Sequence, residues 1–212
     1  VVIKNVFDKQ EILALRQILK YHFKNKQKTL SFQSRSSKFF LVKTQQPLAS
    51  VHIPALWWLF SHPKIIYFME KLIPDNCLYT GVSDAHIASG GGWHKDDGTK
   101  ESNKSMGYFS FNDSKAEDAF KNPYKIEDCR VYKVALYLQD HSKNSSGLFV
   151  RPGSHKTDFA SSTQPIKYLK TNLGDVIIFD VRINHSGRLD PLPLDWNKSN
   201  LTWGDVMRGG AP

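Results

Sequence analysis

The 212-residue sequence has little cysteine: Cys77 and Cys129 are the whole supply. Two thiols do not build the multi-bridge framework of small secreted domains, so a reducing compartment, the cytoplasm being the simplest, is expected. Any apolar run near the roughly 18 residues of a membrane-spanning helix is missing, and no secretory leader pattern is visible. The first residue is Val1 rather than methionine, so the gene product is expected to be longer than this sequence, with targeting signals outside it. Acidic residues are outnumbered, 20 Asp+Glu against 29 Lys+Arg, for a formal charge of +9. The lysines are scattered and no dense arginine block occurs. A nucleic-acid partner is therefore disfavoured, and an anionic small-molecule substrate is one explanation for the excess. Aromatic residues are plentiful at 12 %, with Trp57, Trp58, Trp93, Trp196 and Trp203 among them. Such a chain can bury a large core, and residues 1–212 read as a single domain.

Along the chain, Asp8 and Glu11 have the spacing of a capping box. Ile12, Leu15, Ile18, Leu19 and Phe23 then recur at helical intervals, which predicts an amphipathic helix over residues 9–24. Residues 29–52 mix Ser, Gln and Lys with short apolar runs, for which one short strand and loops are expected. Pro54 and Pro63 suit first helical turns and predict helices over about 54–60 and 63–73. From Cys77 the period shortens. Strands are expected at Leu78–Val82 and Ala85–Ile87, over Val131–Gln139, at Gly147–Val150 and at Val176–Phe179. The polar stretch 97–129 has the length of a functional lid or insertion. Residues 188–212, with Pro191 and Pro193, read as irregular chain. Residues 1–76 thus form a helical N-terminal support and residues 77–187 a strand-rich core. Helices followed by many short strands with Gly and Asp turns indicate an α+β chain dominated by antiparallel sheet.

The stretch most suggestive of chemistry is Gly90-Gly91-Gly92-Trp93-His94-Lys95-Asp96. On extended backbone, residues i and i+2 share a face, so His94 and Asp96 can aim a nitrogen and an oxygen at one point. Two histidines and one carboxylate form the facial ligand set of non-haem Fe(II) oxygenases. The third donor is sought in His185, which follows the apolar strand Val176–Phe179, where a rigid element can hold it. Lys95, between the two ligands, should face away from the metal toward solvent or a supporting contact. The remaining histidines read otherwise: His22 and His62 on helix surfaces, His52 and His141 in loops, His86 on a strand and His155 in a structural turn. Trp57 and Trp58 read as buried aromatic ballast.

Tyr132–Asp140 followed by Ser145-Ser146-Gly147-Leu148-Phe149-Val150-Arg151-Pro152-Gly153-Ser154-His155-Lys156 resembles the phytanoyl-CoA dioxygenase (PhyH-like) family. There a strand ending near an Asp is followed by Gly-Leu and by Pro-Gly-Ser-His. Trp93-His94-Lys95-Asp96 stands where that family has its first metal motif. Gly174-Asp175 and Phe179-Asp180-Val181-Arg182 precede the distal His185 in the same order. The resemblance spans about residues 77–187. It implies a double-stranded β-helix (jelly-roll, cupin-like) enzyme, with the N-terminal helices packed on one sheet, that uses Fe(II), O2 and 2-oxoglutarate. His94, Asp96 and His185 would hold the iron, and oxidative decarboxylation to succinate and CO2 would drive hydroxylation of a small or medium organic substrate. Relatives that halogenate replace the carboxylate with a small residue; Asp96 is present, which implies hydroxylation.

Relatives also place an arginine nine to eleven residues past the distal histidine to pair with the far carboxylate of 2-oxoglutarate. Here Leu194, Asp195 and Trp196 occupy that interval, leaving Arg188, Arg208 or a residue outside this sequence. Ser186, Lys133 and Tyr79 are further candidates for contact with the co-substrate. Two other classes stand beside the oxygenase: a non-catalytic jelly-roll binding module that has lost the arginine, and a zinc hydrolase on the same three ligands, for which no general base is evident.

Overall fold

The computed structural model describes residues 1–25, 30–33, 39–45, 49–74, 77–87, 93–96, 131–143, 147–157 and 164–188. The capping box forms as the sequence predicts. Asp8 N–H donates to Glu11 Oε2 and Glu11 N–H to Asp8 Oδ1, each at 2.8 Å, which satisfies two otherwise orphaned donors of the first turn. Helix α1 then runs Lys9–Asn25 and buries Ile12, Leu15, Leu19 and Phe23.

Among the described residues, nine strands follow the order β1 Val2–Ile3, β2 Leu30–Gln33, β3 Phe39–Gln45, β4 Ala85–Ile87, β5 Tyr132–Leu136, β6 Gly147–Val150, β7 Lys167–Leu169, β8 Val176–Asp180 and β9 His185–Arg188. Among the described residues they make three antiparallel sheets, ordered β1-β8-β5, β2-β3-β4 and β7-β6-β9.

Strand β8 is the middle of the molecule, which is why its sequence is an unbroken apolar run rather than an alternating one. Val176 and Ile178 join Val6, Phe7 and the apolar stripe of α1 in one core. Ile177 and Phe179 point to the other face, into a second core with Leu148 and Val150 of β6. The register Lys133↔Phe179 and Ala135↔Ile177 puts Lys133 and Ala135 on that same inner face. The layers are therefore helices, the β8 sheet, and the β6 sheet, with a lysine side chain admitted between the two sheets. This is a mixed helix and antiparallel-sheet architecture.

The N-terminal segment is clamped onto the turn before β8. Val6 and Phe7 N–H both donate to Gly174 O at 3.0 Å. Gly174 has φ 86°, and a Cβ there would lie 2.1 Å from Phe7 O. Next to it, the buried Asp175 carboxylate accepts from Lys4 Nζ at 2.6 Å, Asn5 N–H at 3.0 Å and Asn172 N–H at 2.7 Å. Burial works to raise its pKa, but the bonds from Lys4, Asn172 and Asn5 together hold it below the usual value.

Several expectations are corrected. Residues 29–52 supply two paired strands, β2 and β3, and a short helix α2, Ala49–His52. Their Ser, Gln and Lys content hides a hairpin whose register (Leu30↔Val42 through Gln33↔Phe39) is set by pairing rather than propensity. The N-terminal support is thus not purely helical. Residues 54–60 divide into a 3-10 turn at Pro54–Leu56 and a short helix α3, Trp57–Phe60, before α4 at Pro63–Leu72. Leu78–Val82 is not a strand: Leu78 is exposed and Gly81 takes φ 80°, which breaks a pleat. Trp57 is 61 % exposed rather than core, whereas Trp58 packs edge-on to Phe7. The expected lid at 97–129 and the tail beyond Arg188 lie outside the described residues. No helix among the described residues is long and apolar enough to cross a membrane, and Cys77 carries a free thiol.

Replacing Gly174 by alanine should destabilise the fold by about 2 kcal/mol or more, from left-handed strain plus the clash with Phe7 O; urea denaturation measures it. Because the Asp175 pKa is lowered in the fold, its contribution is present above the ordinary carboxylate pKa and is lost as pH falls through the lowered value. Asp175→Asn should accordingly flatten the acid limb of the stability curve.

Candidate metal centre

The segment Trp93–Asp96 is held by main-chain bonds to the loop and strand that follow β8. His94 N–H donates to His185 O at 2.9 Å and His185 N–H to His94 O at 2.8 Å, a reciprocal antiparallel bridge. Asp96 N–H donates to Val181 O at 3.1 Å. A directly opposed antiparallel pair projects its side chains to one face, and the two imidazole rings lie 4.3 Å apart between centroids. Asp96, two residues on, joins them. His94 Nε2 is 3.7 Å from Asp96 Oδ1, and His185 Nε2 is 3.6 Å from Asp96 Oδ2. One donor atom from each of the three residues falls within 4.8 Å of the others.

The three are unequally exposed. The His94 side chain is 47 % accessible, Asp96 14 % and His185 5 %. His185 opens β9, pairs with Val150 of β6, and meets the Phe179 ring at 4.9 Å in an edge contact. Burial pulls its pKa down from 6.5 to about 4, against the opposing pull of Asp96 and of the bond to Ile183; His94 and Lys133 add to the lowering. His185 Nδ1 stands 2.9 Å from Ile183 O. An imidazole nitrogen facing a carbonyl must carry the proton, so Nε2 turns its lone pair toward Asp96. Two electron-pair donors then face each other, an arrangement that a bound cation stabilises. Lys133, from the inner face of β5, already places Nζ 2.9 Å from Asp96 Oδ2.

The other candidates are distributed differently. The Tyr79 hydroxyl donates to Ser50 Oγ at 3.0 Å and its ring stacks on Phe60 at 4.4 Å, which ties it to α2 and α3 rather than to this cluster. Ser186 pairs with Phe149 and alternates with His185 across the pleat, so its side chain is on the opposite face from the ligand histidine. Arg188 is the last residue of β9, opposite Gly147. Leu194, Asp195, Trp196 and Arg208 lie outside the described residues.

Lys95 does face away from His94 and Asp96, but into the protein rather than solvent. It is buried, and its Nζ donates to Ser154 O at 2.6 Å and to Thr157 O. His141 lies in a loop, as expected, and is buried there, with Tyr137 edge-on at 5.0 Å. His62 packs on Phe7 at 4.5 Å. Trp93 carries the Arg151 guanidinium over its ring at 4.8 Å. Lys95 thus makes the supporting contact that was one of its two expected fates, whereas the supporting roles of Ser154 and Asn184 were not anticipated. Their only sequence signal is that Lys95 has the opposite parity to two ligands and that a serine follows Pro-Gly.

No family model matches the chain, and no curated protein does. Solved structures do. The carbocyclase SnoK from nogalamycin biosynthesis, described as non-heme and alpha ketoglutarate dependent, aligns at 16 % identity with a TM-score of 0.61, covering 89 % of this chain and 72 % of its own. The SnoN epimerase of the same biosynthesis, described in the same terms, aligns at 15 % and 0.59, covering 88 % and 69 %. AviO1 from Streptomyces viridochromogenes Tue57 aligns at 15 % and 0.53, covering 87 % and 79 %. The chain shares their fold. At such identities the likeness establishes architecture, and the chemistry must be argued from the residues.

In the metal-free protein, the His185 ring should stay neutral until about pH 4, as read by NMR titration of its ring signals. An unfolded histidine keeps its ordinary 6.5, so the unfolded state takes up the proton first. This residue should therefore make stability fall as pH drops from about 6.5 toward 4.

Proposed function

We propose that this chain is an Fe(II)- and 2-oxoglutarate-dependent oxygenase, a hydroxylase of a small or medium organic molecule, built as a single domain on a double-stranded β-helix. The observation that carries the reading is the convergence of His94, Asp96 and His185 within 4.8 Å on a fold shared with alpha-ketoglutarate-dependent enzymes. One such structure of SnoN holds Fe3+, alpha ketoglutarate and nogalamycin RO. The order of the motifs around His94, Pro152–His155 and His185 further supports kinship with the phytanoyl-CoA dioxygenase family.

The residues present fit the metal. Two imidazoles and one carboxylate are a donor set suited to Fe(II), and three protein ligands leave positions open. The buried His185 is neutral near pH 7 and needs no proton removed before it can ligate. Its Nδ1 bond to Ile183 O fixes the ring and the tautomer, as is usual for a metal-bound histidine. Bound Fe(II) would supply the activation of O2, with 2-oxoglutarate converted to succinate and CO2 and one oxygen atom delivered to substrate. The chain's own part is orientation and exclusion of water. Phe179 packs edge-on against His185, and Lys133 holds one oxygen of Asp96. Lys133 is also the described cation best placed to attract an anionic co-substrate toward the cluster. The chain's positive charge favours an anionic substrate.

Anaerobic addition of Fe(II) and 2-oxoglutarate should produce a visible charge-transfer band, and aeration should yield succinate. A fold that only binds ligands would give neither, and a zinc hydrolase would give no band. Because the neighbours include an epimerase and a carbocyclase, hydroxylation itself rests on a product carrying one added oxygen atom. Alanine at His94, Asp96 or His185 should reduce succinate formation to background with circular dichroism unchanged; retained turnover in all three would refute the assignment.

A further inference from the structure

We infer that the turn Arg151–Thr157, which contributes no metal donor, is the device that positions both ligand-bearing segments, with Lys95, Ser154 and Asn184 as its three contact points. The inference rests on the metal-site reading above and adds to it the positioning residues.

The turn is built to be rigid. Gly153 takes φ 84°, Ser154 N–H donates to Arg151 O at 3.1 Å, and Lys156 N–H donates to Gly153 O at 3.1 Å. Ser154 is fully buried and is used from both ends. Its carbonyl accepts Lys95 Nζ at 2.6 Å, which holds the residue between His94 and Asp96. Its hydroxyl oxygen accepts Asn184 N–H at 2.8 Å, which holds the residue immediately before His185. A second bond, Arg151 N–H to Asn184 O at 2.9 Å, holds the same residue through the next peptide group, the one it shares with His185. Thr157 O takes a further bond from the Lys95 ammonium.

The energetic logic favours positioning over incidental contact. A buried ammonium is costly unless its donors are satisfied, and Lys95 meets main-chain carbonyls, which do not move independently of the turn. Because His94 and Asp96 flank Lys95 with opposite side-chain direction, anchoring Lys95 inward fixes the direction in which both donors point. Ser154 couples that anchor to His185 through a single residue. The Pro-Gly-Ser turn thus sets the spacing between the two halves of the donor set, which the main-chain bridge alone fixes only along the strand direction.

Lys95→Met and Ser154→Ala test this, with Gly174→Ala as a variant weakened at a site remote from the cluster. The readouts are Co(II) affinity, the visible d–d spectrum of the Co(II) protein, and thermal unfolding of the metal-free protein, with binding measured well below every unfolding midpoint. Co(II) Kd should rise about 10–100-fold in Lys95→Met and in Ser154→Ala, the range seen when groups supporting metal ligands are lost, with an altered d–d spectrum. Gly174→Ala should unfold earlier yet bind Co(II) with unchanged Kd and spectrum. Wild-type affinity and spectrum in both test variants would overturn the inference while leaving the metal site standing. An equal loss in all three would overturn it as mere destabilisation. Absence of Co(II) binding by the wild type would remove the metal-site reading itself, and the inference with it. Should neither test variant fold, amide exchange in the wild type decides: Co(II) should slow exchange at Asn184 and Ser154, and unchanged rates there would overturn the coupling.

Discussion

Two hydrogen bonds hold this site together: His94 N–H to His185 O and His185 N–H to His94 O. They make a minimal antiparallel ladder from two stretches distant along the chain. Everything proposed for the cluster follows from that register. Directly opposed residues must project to the same face, so the imidazoles meet, and the residue two positions beyond His94 is delivered to them. A slip of one residue would exchange Lys95 for the donors and send both ligands to the opposite face. Such a register needs enforcement, which is where the bond from Asp96 N–H to Val181 O and the buried turn at Ser154 enter.

The larger architecture serves the same end. Strand β8 is buried on both faces because helices cover one side and the β6 sheet the other. Its far end leads through a tight turn to His185, so a strand buried on both faces stands next to the least exposed ligand. The buried Arg182, clasped by Asp180 through bonds of 2.6–3.1 Å, stiffens the turn between them. On the neighbouring strand, parity alone admits Lys133 to the inner face, where its ammonium meets Asp96 at 2.9 Å. Burial of His185 then keeps a nitrogen lone pair free at neutral pH.

Much of this was legible from residue order. The capping box at Asp8 and Glu11, the apolar stripe of α1 and the uninterrupted Val176–Phe179 run each state a local physical preference that the fold keeps. The His-x-Asp spacing and a histidine past a buried strand were enough to nominate three donors, and the fold brings them together. What stayed hidden depends on contacts between distant segments. The β2–β3 hairpin is written in Ser, Gln and Lys, whose weak propensities say little until a partner strand is present. Leu78 and Val82 look like strand residues but pair with no strand among the described residues. Tyr79 and Ser186 were nominated by nearness in sequence or by type, and tertiary register sent them elsewhere. For Lys95 the sequence left solvent and a supporting contact both open, and it is tertiary structure that supplies the carbonyls of Ser154 and Thr157 to its buried ammonium.

The uneven accessibility of the three donors bears on how an ion would arrive and leave. His185 and Asp96 are set inward and held by neighbours, while the His94 ring opens to solvent. An incoming ion would meet His94 first and shed its water stepwise as it settled against the two inner groups. Departure would run in reverse, so the exchange lifetime would be governed by the freedom of one outward ring rather than by the deeper pair. Retention and equilibrium affinity would then be separable properties of the same centre, the first written in the surface around position 94 and the second in the interior.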